Sequence, residues 1–400
     1  HEIPVMFWNK EDPVHFNRFK RTAALCDYVF TTDARTIVDY NALPDNQITT
    51  VASAPFAAQP LLHNPLPSTR AQDEAIAYGG TYYGDKYATR KQGLDFLFYE
   101  SAPHGLAIYE RVHNDPNSPY RLPDRFRRYA RGSLSYPEMC QAYKAHPIHL
   151  NGNSVVDSPS MFSRRVVEIT ASGSTVLSSA GRGVDETLAG TVPTVTTPDE
   201  AAAYLEGWKS SEQRRHAGLW EAFRHVYETH TCAHRLVYMM RVAGFRVRSP
   251  QAAPIAVECA AADVPLFEAQ TMRPALYLVT DTTEGVDAAS PVVLAAPPER
   301  AAKLQEAGIR NVVIHREGGP ALDKHLVEDF SLALHFGPWK AVGTRTVEWS
   351  PGDAHVRIAA LTADIDEGTV LVDADVYAGS VLGERPALAD DEVFAWQHVV

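Results

Sequence analysis

Cysteine is scarce in this 400-residue chain: Cys26, Cys140, Cys232 and Cys259 stand alone, with no C-x-x-C pair. Neither a disulfide framework nor a zinc site is indicated by such spacing. No apolar run approaches the roughly 18 residues that a membrane-spanning helix needs, and no signal-peptide core opens the chain. The expectation is a cytoplasmic protein without a transmembrane segment. Positive charge is also short, 37 Lys and Arg against 49 Asp and Glu, for a net charge of −12. That balance argues against nucleic acid as a principal partner. A starting methionine is missing too: His1-Glu2 runs directly into apolar residues, so the chain is expected to begin inside a domain. What remains is an ordinary globular composition, 45% hydrophobic and 22% charged, with room for two or three domains.

The first sixty residues alternate strand and helix. Ile3–Trp8 reads as a strand, Val14–Leu25 as a helix with Phe16, Phe19 and Ala23 on one side, and 27–32 as a second strand. Ala34–Tyr40 and Ile48–Val51 continue the alternation. This order predicts a parallel, doubly wound sheet, whose ligands sit beyond the carboxyl ends of the strands. Asn9, Lys10, Glu11 and Asp12 fall at such an end, and Glu11 or Asp12 is a candidate general base. The same charges also fit a solvated loop that caps the next helix.

Prolines 55, 60, 65 and 67 mark a linker, after which a second alternating set begins. A strand over 75–79 runs into Gly79-Gly80-Thr81, and a helix follows from Thr89 with Arg90 and Lys91 at its start. Glycines after a strand let the backbone approach a ligand closely, although a plain turn has the same composition. Leu106–Tyr109 reads as a strand, Arg121–Arg131 as a basic patch, and Ser135 as the cap of a further helix. Ile148–Leu150 is a strand that feeds the stretch Asn151–Ser179.

That stretch is where the chemistry is expected. Asp157-Ser158-Pro159-Ser160 is a turn and cap cluster, Met161–Ser172 a helix, Gly173 its C′ residue, and 175–178 a strand. A helix start at Met161, Phe162 and Ser163 offers amide N–H groups to a phosphate. Arg164 and Arg165 lie four and three residues before Glu168, near the carboxylate's face. Amides and arginines then suit a diphosphate, and Glu168 two ribose hydroxyls. A surface helix with an i,i+4 ion pair fits the pattern equally. From 197 to 242 the chain reads as helical, and His225, His230 and His234 lack a carboxylate at ligand spacing.

Taken together, FWNKEDPVHF, DYVFTTD, PFAAQP with HNP, YGGTYYGDKYATRKQGLDFL, LSYPEMCQAYKAHPIHLN and NSVVDSPSMFSRRVVEITASGSTVLSS resemble the spore-maturation (CgeB-like) glycosyltransferases. The resemblance implies an α/β fold with a GT-B-type pair of Rossmann-like domains, the first truncated (1–64) and the second holding the nucleotide-sugar (65–245). By position it implies that Glu168 holds the ribose and that Arg90, Arg164 and Arg165 neutralise the diphosphate. Gly79, Gly80, Thr81 and 160–163 then line the donor site, and Glu11 or Asp12 is the base of an inverting reaction. No metal and no other cofactor is expected. Many retaining relatives carry a second glutamate eight positions before the ribose carboxylate, where this chain has Ser160.

Residues 246–400 resemble, more distantly, a GT-A-like α/β domain through ALYLVTDTTEG, KHLVEDFSLALHFGPWKAVGTRT and TVLVDADVYAGS. The aspartate run that binds metal there is replaced by Arg316-Glu317-Gly318-Gly319-Pro320, which implies a silent domain. Asp364, Asp366, Asp373 and Asp375 have the spacing of strand or turn carboxylates, and an oligomer-forming role is the expectation for this part. The implied activity is sugar transfer from a nucleotide-sugar to a glycan or polyol-phosphate. A nucleotide-sugar epimerase and an inactive sugar-nucleotide-binding scaffold are the alternatives.

Overall fold

The computed structural model describes residues 3–72, 74–284, 286–287, 289–315, 322–337, 339–347, 359–361, 369–373, 377 and 388–399. It has two compact units, His1–Pro250 and a second that begins at Gln251.

In the first unit, β1 (Met6–Asn9), β2 (Tyr28–Thr31) and β3 (Thr50–Ser53) form a parallel sheet in sequential order. The intervening helices are α1 (Phe16–Ala23) and α2 (Ile37–Asn41). Burying one apolar face of each is what seats them on the sheet: Ala23, Val29 and Tyr40 pack with Phe7 and Phe16. A second parallel sheet takes β4 (Ile76–Gly80), β5 (Leu106–Glu110), β6 (Ile148–Asn151), β7 (Thr175–Ser179) and β8 (Thr194–Val195) in the order β5-β4-β6-β7-β8. Its helices are α3 (Ala88–Ser101), α4 (Asp124–Arg127), α5 (Tyr136–Ala145), α6 (Arg165–Ala171) and α7 (Arg182–Thr187). The strands are covered on both faces and read as nearly continuous apolar runs; Ile76, Tyr78, Leu150 and Leu177 meet Leu94, Leu97 and Phe98 of α3. The fold is therefore the α/β class, with two Rossmann-like parallel sheets, that the alternation predicts.

The predicted 197–242 helix is three helices, α8 (Pro198–Ser210), α9 (Glu212–Thr229) and α10 (Cys232–Val242). Ser211 and Thr231 are extended, and each hydroxyl caps the helix that follows it. α10 returns to the first sheet, where Met239 packs with Phe30 and Ala54. His225 and His230 pack edge to face, 5.2 Å between centroids, and both share the carbonyl of Thr187. Among the described residues no three potential ligands converge on a metal position, and no helix is long and apolar enough to cross a membrane.

The second unit is a mixed eight-stranded sheet. Its strands are β9 (Ile255–Cys259), β10 (Leu276–Val279), β11 (Val292–Leu294), β12 (Asn311–His315), β13 (Ala341–Val347), β14 (Ala359–Leu361), β15 (Thr369–Asp373) and β16 (Val393–Val399). β11-β10-β9-β12 are parallel, and β15 lies antiparallel between β12 and β13. Its helices are α11 (Val264–Glu268), α12 (Pro297–Ala307) and α13 (Leu326–Ala333). Arg316–Pro320, Asp364, Asp366 and Asp375 lie outside the described residues, as does the side chain of Asp373.

Candidate active site

A cavity of about 600 Å³ opens at the carboxyl ends of both sheets of the first unit, where parallel sheets bind ligands. Lys10, Glu11 and His15 come from the end of β1, Gly79, Gly80, Tyr83, Lys86 and Tyr87 from the end of β4, and Tyr109 and Arg111 from β5. Tyr136, Met139 and Tyr143 of α5 and residues 161–165 complete the wall. Its charge is one-sided: Lys10, Lys86, Arg111, Arg164 and Arg165 face it, against Glu11 as the one carboxylate among the described lining residues. Such a surface attracts an anion.

Four of these cations lie over aromatic rings. Lys10 Nζ lies 4.0 Å from the centroid of Trp8, and Arg164 sits 4.6 Å over Tyr136. Lys86 reaches Tyr83, Tyr87 and Tyr120, which raise its pKa. Tyr83 holds a left-handed φ of 64°, an uncommon conformation for a bulky residue. Arg165 lies 5.4 Å over Tyr78, and its buried Nη1 has no hydrogen-bond partner among the described residues. Burial pulls the Arg165 pKa down, but Tyr78 and Tyr143 outweigh it and the net direction is up. Tyr78 moves the complementary way: burial pushes it up, Arg90 and Arg165 pull it down, and it ends lowered.

Bare backbone at Gly79 and Gly80 makes this packing possible. A Cβ on Gly79 would meet Met139 Sδ at 2.5 Å, and one on Gly80 would meet Arg165 Nη1 at 2.9 Å. The two glycines therefore admit side chains of the wall, in addition to any ligand.

Of the residues predicted from sequence, Glu11, Gly79, Gly80, Met161, Phe162, Ser163, Arg164 and Arg165 line the cavity together. Five do not. Asp12 is fully buried, accepting from Asn9 Nδ2 at 2.7 Å and Tyr40 Oη at 2.9 Å, and burial foremost raises its pKa. Arg90 is buried as a brace: it donates to the Gly152 carbonyl, to Tyr78 Oη at 2.8 Å and to the Thr81 carbonyl at 3.3 Å, and burial lowers its pKa. Thr81 is buried with it. Ser160 Oγ donates to the Thr32 carbonyl and accepts from Ala34 N–H, both at 2.9 Å. Glu168 sits one layer behind the wall. Tyr136 Oη donates to its Oε1 at 2.9 Å and Tyr143 Oη to its Oε2 at 3.4 Å, with Arg164 Nε 3.5 Å away.

The helix itself starts later than predicted. α6 begins at Arg165, because Ser158 Oγ takes the amides of Ser160 and Met161 into a turn. Met161 thus offers no free amide to an anion. Tyr136, Met139, Tyr143, Lys86 and Arg111 also line the cavity and are not among the residues predicted from sequence. The first three were visible as positions i, i+3 and i+7 of one helix face in YPEMCQAY.

A protein-family comparison matches residues 91–241, a little over a third of the chain, to the family described as "Glycosyl transferase-like". The matched stretch carries α5, α6 and their wall residues. Among solved structures, the chain is similar to sucrose-phosphate synthase from Thermosynechococcus elongatus, at 15% identity and a TM-score of 0.42 over 59% of this chain and 62% of that one. It is similar to WaaG, a glycosyltransferase involved in lipopolysaccharide biosynthesis, at 12% identity and 0.41 over 59% and 69%. HepE of Anabaena, in complex with UDP-glucose, is similar at 12% and 0.44 over 61% and 72%. The chain spans less than two thirds of the length of the sucrose-phosphate synthase chain. No curated protein matches the chain.

Proposed function

We propose that the chain is a GT-B glycosyltransferase of the CgeB-like kind, transferring a sugar from a nucleotide-sugar to a glycan or polyol-phosphate. The observation that carries this reading is Arg165: a buried, unpartnered guanidinium nitrogen against the bare backbone of Gly80, in a cavity ringed by cations. A donor diphosphate fits that position, and the glycosyl transferase-like match over residues 91–241 supports the reaction class.

In the proposed reaction the acceptor oxygen bonds to the anomeric carbon, and the bond from that carbon to the diphosphate oxygen breaks. Glu11, the exposed carboxylate of the wall, takes the acceptor's proton. The nucleoside diphosphate leaves with the bonding electron pair, and Arg165, Arg164, Lys86 and Lys10 stabilise its charge without an obligatory metal. Glu168 accepts from the hydroxyls of Tyr136 and Tyr143 and so fixes two side chains of the wall. The second unit, α/β but without an assigned site, serves assembly. A thermal-shift panel of UDP-, GDP-, dTDP- and CDP-sugars, followed by product analysis with the stabilising donor, tests the reading. Failure of every nucleotide to stabilise the protein would overturn it.

A non-catalytic nucleotide-binding scaffold is the second reading. It is favoured by Ser160, whose hydroxyl is occupied by Thr32 and Ala34 where retaining relatives place a glutamate. Nucleotide binding with neither transfer nor hydrolysis would select it.

A further inference from the structure

His63 lies outside the cavity wall, in the segment after β3, yet its hydrogen bonds run straight to Glu168. The Gln59 amide donates to its Nδ1 at 3.0 Å, so Nδ1 is an acceptor and a neutral ring carries its hydrogen on Nε2. Burial pushes the pKa of His63 down, against the opposing pull of Glu168, which keeps the ring neutral. Nε2 stands 2.8 Å from Tyr136 Oη and therefore donates to it. The tyrosine hydroxyl sends its own hydrogen to Glu168 Oε1 at 2.9 Å. Every donor in this series has one acceptor, and the direction is fixed from a backbone N–H to the carboxylate. The main chain of His63 is clamped as well: its N–H donates to the Gln59 carbonyl at 2.7 Å, and Tyr227 Oη donates to its carbonyl at 3.0 Å.

We infer that His63 is a positioning residue of the donor site: it aims the Tyr136 hydroxyl at Glu168 Oε1 and so fixes the Tyr136 ring in the cavity wall, where Arg164 rests 4.6 Å from its centroid. The inference rests on the proposed donor role of this cavity. Without the histidine donor, the Tyr136 hydroxyl has a free rotor and a second acceptor direction, and the ring loses one of its two anchors. A neutral hydrogen bond contributes about 0.5–1.5 kcal/mol, so the expected loss of affinity is up to roughly tenfold.

The test is calorimetric titration with whichever of UDP, GDP, dTDP or CDP binds best. His63→Leu and Tyr136→Phe are each expected to weaken binding by up to about tenfold, and the double variant no further, because both break one series. His63→Gln, which keeps a donor near Nε2, is expected to recover most of the loss. Wild-type affinity in His63→Leu alongside weakened Arg165→Ala would overturn the inference and leave the diphosphate reading standing. Unchanged affinity in Arg165→Ala would overturn both. Should His63→Leu not fold, ¹⁵N-histidine spectra of the wild type decide, with His63 assigned by its absence from His63→Gln. An Nε2–H tautomer is expected, and an Nδ1–H tautomer overturns the inference.

Discussion

The guanidinium of Arg165 occupies the space that any side chain at residue 80 would need: a Cβ there would stand 2.9 Å from Nη1 and 3.0 Å from Nη2. Gly80 and Arg165 therefore act as one unit, backbone and cation, although 85 residues of sequence separate them. Two of the three obstructing atoms are the far end of Arg165 and the third is Tyr78 Oη, also at 2.9 Å, so Gly80→Ala is expected to push the guanidinium out of place and to press on the buried tyrosine. Nucleoside-diphosphate affinity should fall about tenfold, equivalent to about 1.4 kcal/mol, with a lowered melting temperature. Unaltered affinity in calorimetry would show that Arg165 is not held against Gly80 for a ligand.

Glu11 and Asp12 are adjacent but have opposite surroundings, and their substitutions should separate accordingly. Glu11→Gln is expected to lower transfer by at least about a hundredfold, the scale of general-base loss, with nucleotide affinity and melting temperature retained. Asp12→Asn replaces an acceptor of two buried donors, Asn9 Nδ2 and Tyr40 Oη, and should cost about 1–3 kcal/mol of stability. Chemical denaturation and a turnover assay distinguish the two; equal loss of activity in folded Asp12→Asn would count against this division.

Ser158 joins the two sheets of the first unit. Its Oγ donates to Asp33 Oδ1 at 2.7 Å and accepts from the amides of Ser160 and Met161. Burial raises the pKa of Asp33, but Arg35 and Ser158 outweigh it, and the carboxyl ends below its usual range. Ser158→Ala leaves buried donors and an acceptor unpaired, so denaturant titration should show about 1–3 kcal/mol of destabilisation. Ser160→Ala removes the partner of the Thr32 carbonyl and of the Ala34 amide and should cost a similar amount.

Acid should unfold the protein earlier than its carboxylates alone would dictate. Burial pushes the His149 pKa down to about 3, with His146 adding to it, and burial pushes His230 down to about 4. Both folded values lie below the unfolded value of about 6.5. The unfolded chain therefore binds these protons first as pH falls, and stability is lost progressively from about pH 6.5 downward. Melting temperature should decline from pH 7 to pH 5, and the slope should flatten in a folded His149→Gln variant. An identical slope would exclude His149 as a source.

Local signals were legible wherever a residue's own chemistry decides its conformation. Ser135 and Glu138 form the capping box that opens α5, and Gly173 takes the left-handed φ of 76° expected after α6. The parallel sheets followed from strand-helix alternation. What the sequence could not disclose was set by distant partners. Arg90 has the position of a phosphate ligand but is consumed by Gly152, Tyr78 and Thr81, and Glu168 stands behind Tyr136. The start of α6 moved from Met161 to Arg165 because Ser158 captures two amides, a competition between side chain and helix that composition alone does not resolve.

The cation against Gly80 is tested most directly by the affinity of the best-binding nucleoside diphosphate for wild type and Arg165→Ala, with folding checked by circular dichroism. Loss of a charge-assisted hydrogen bond, about 1.5–3 kcal/mol, predicts roughly ten- to a hundredfold weaker binding in a folded variant. Equal affinity in the two proteins would contradict the assignment of this cavity as the diphosphate site.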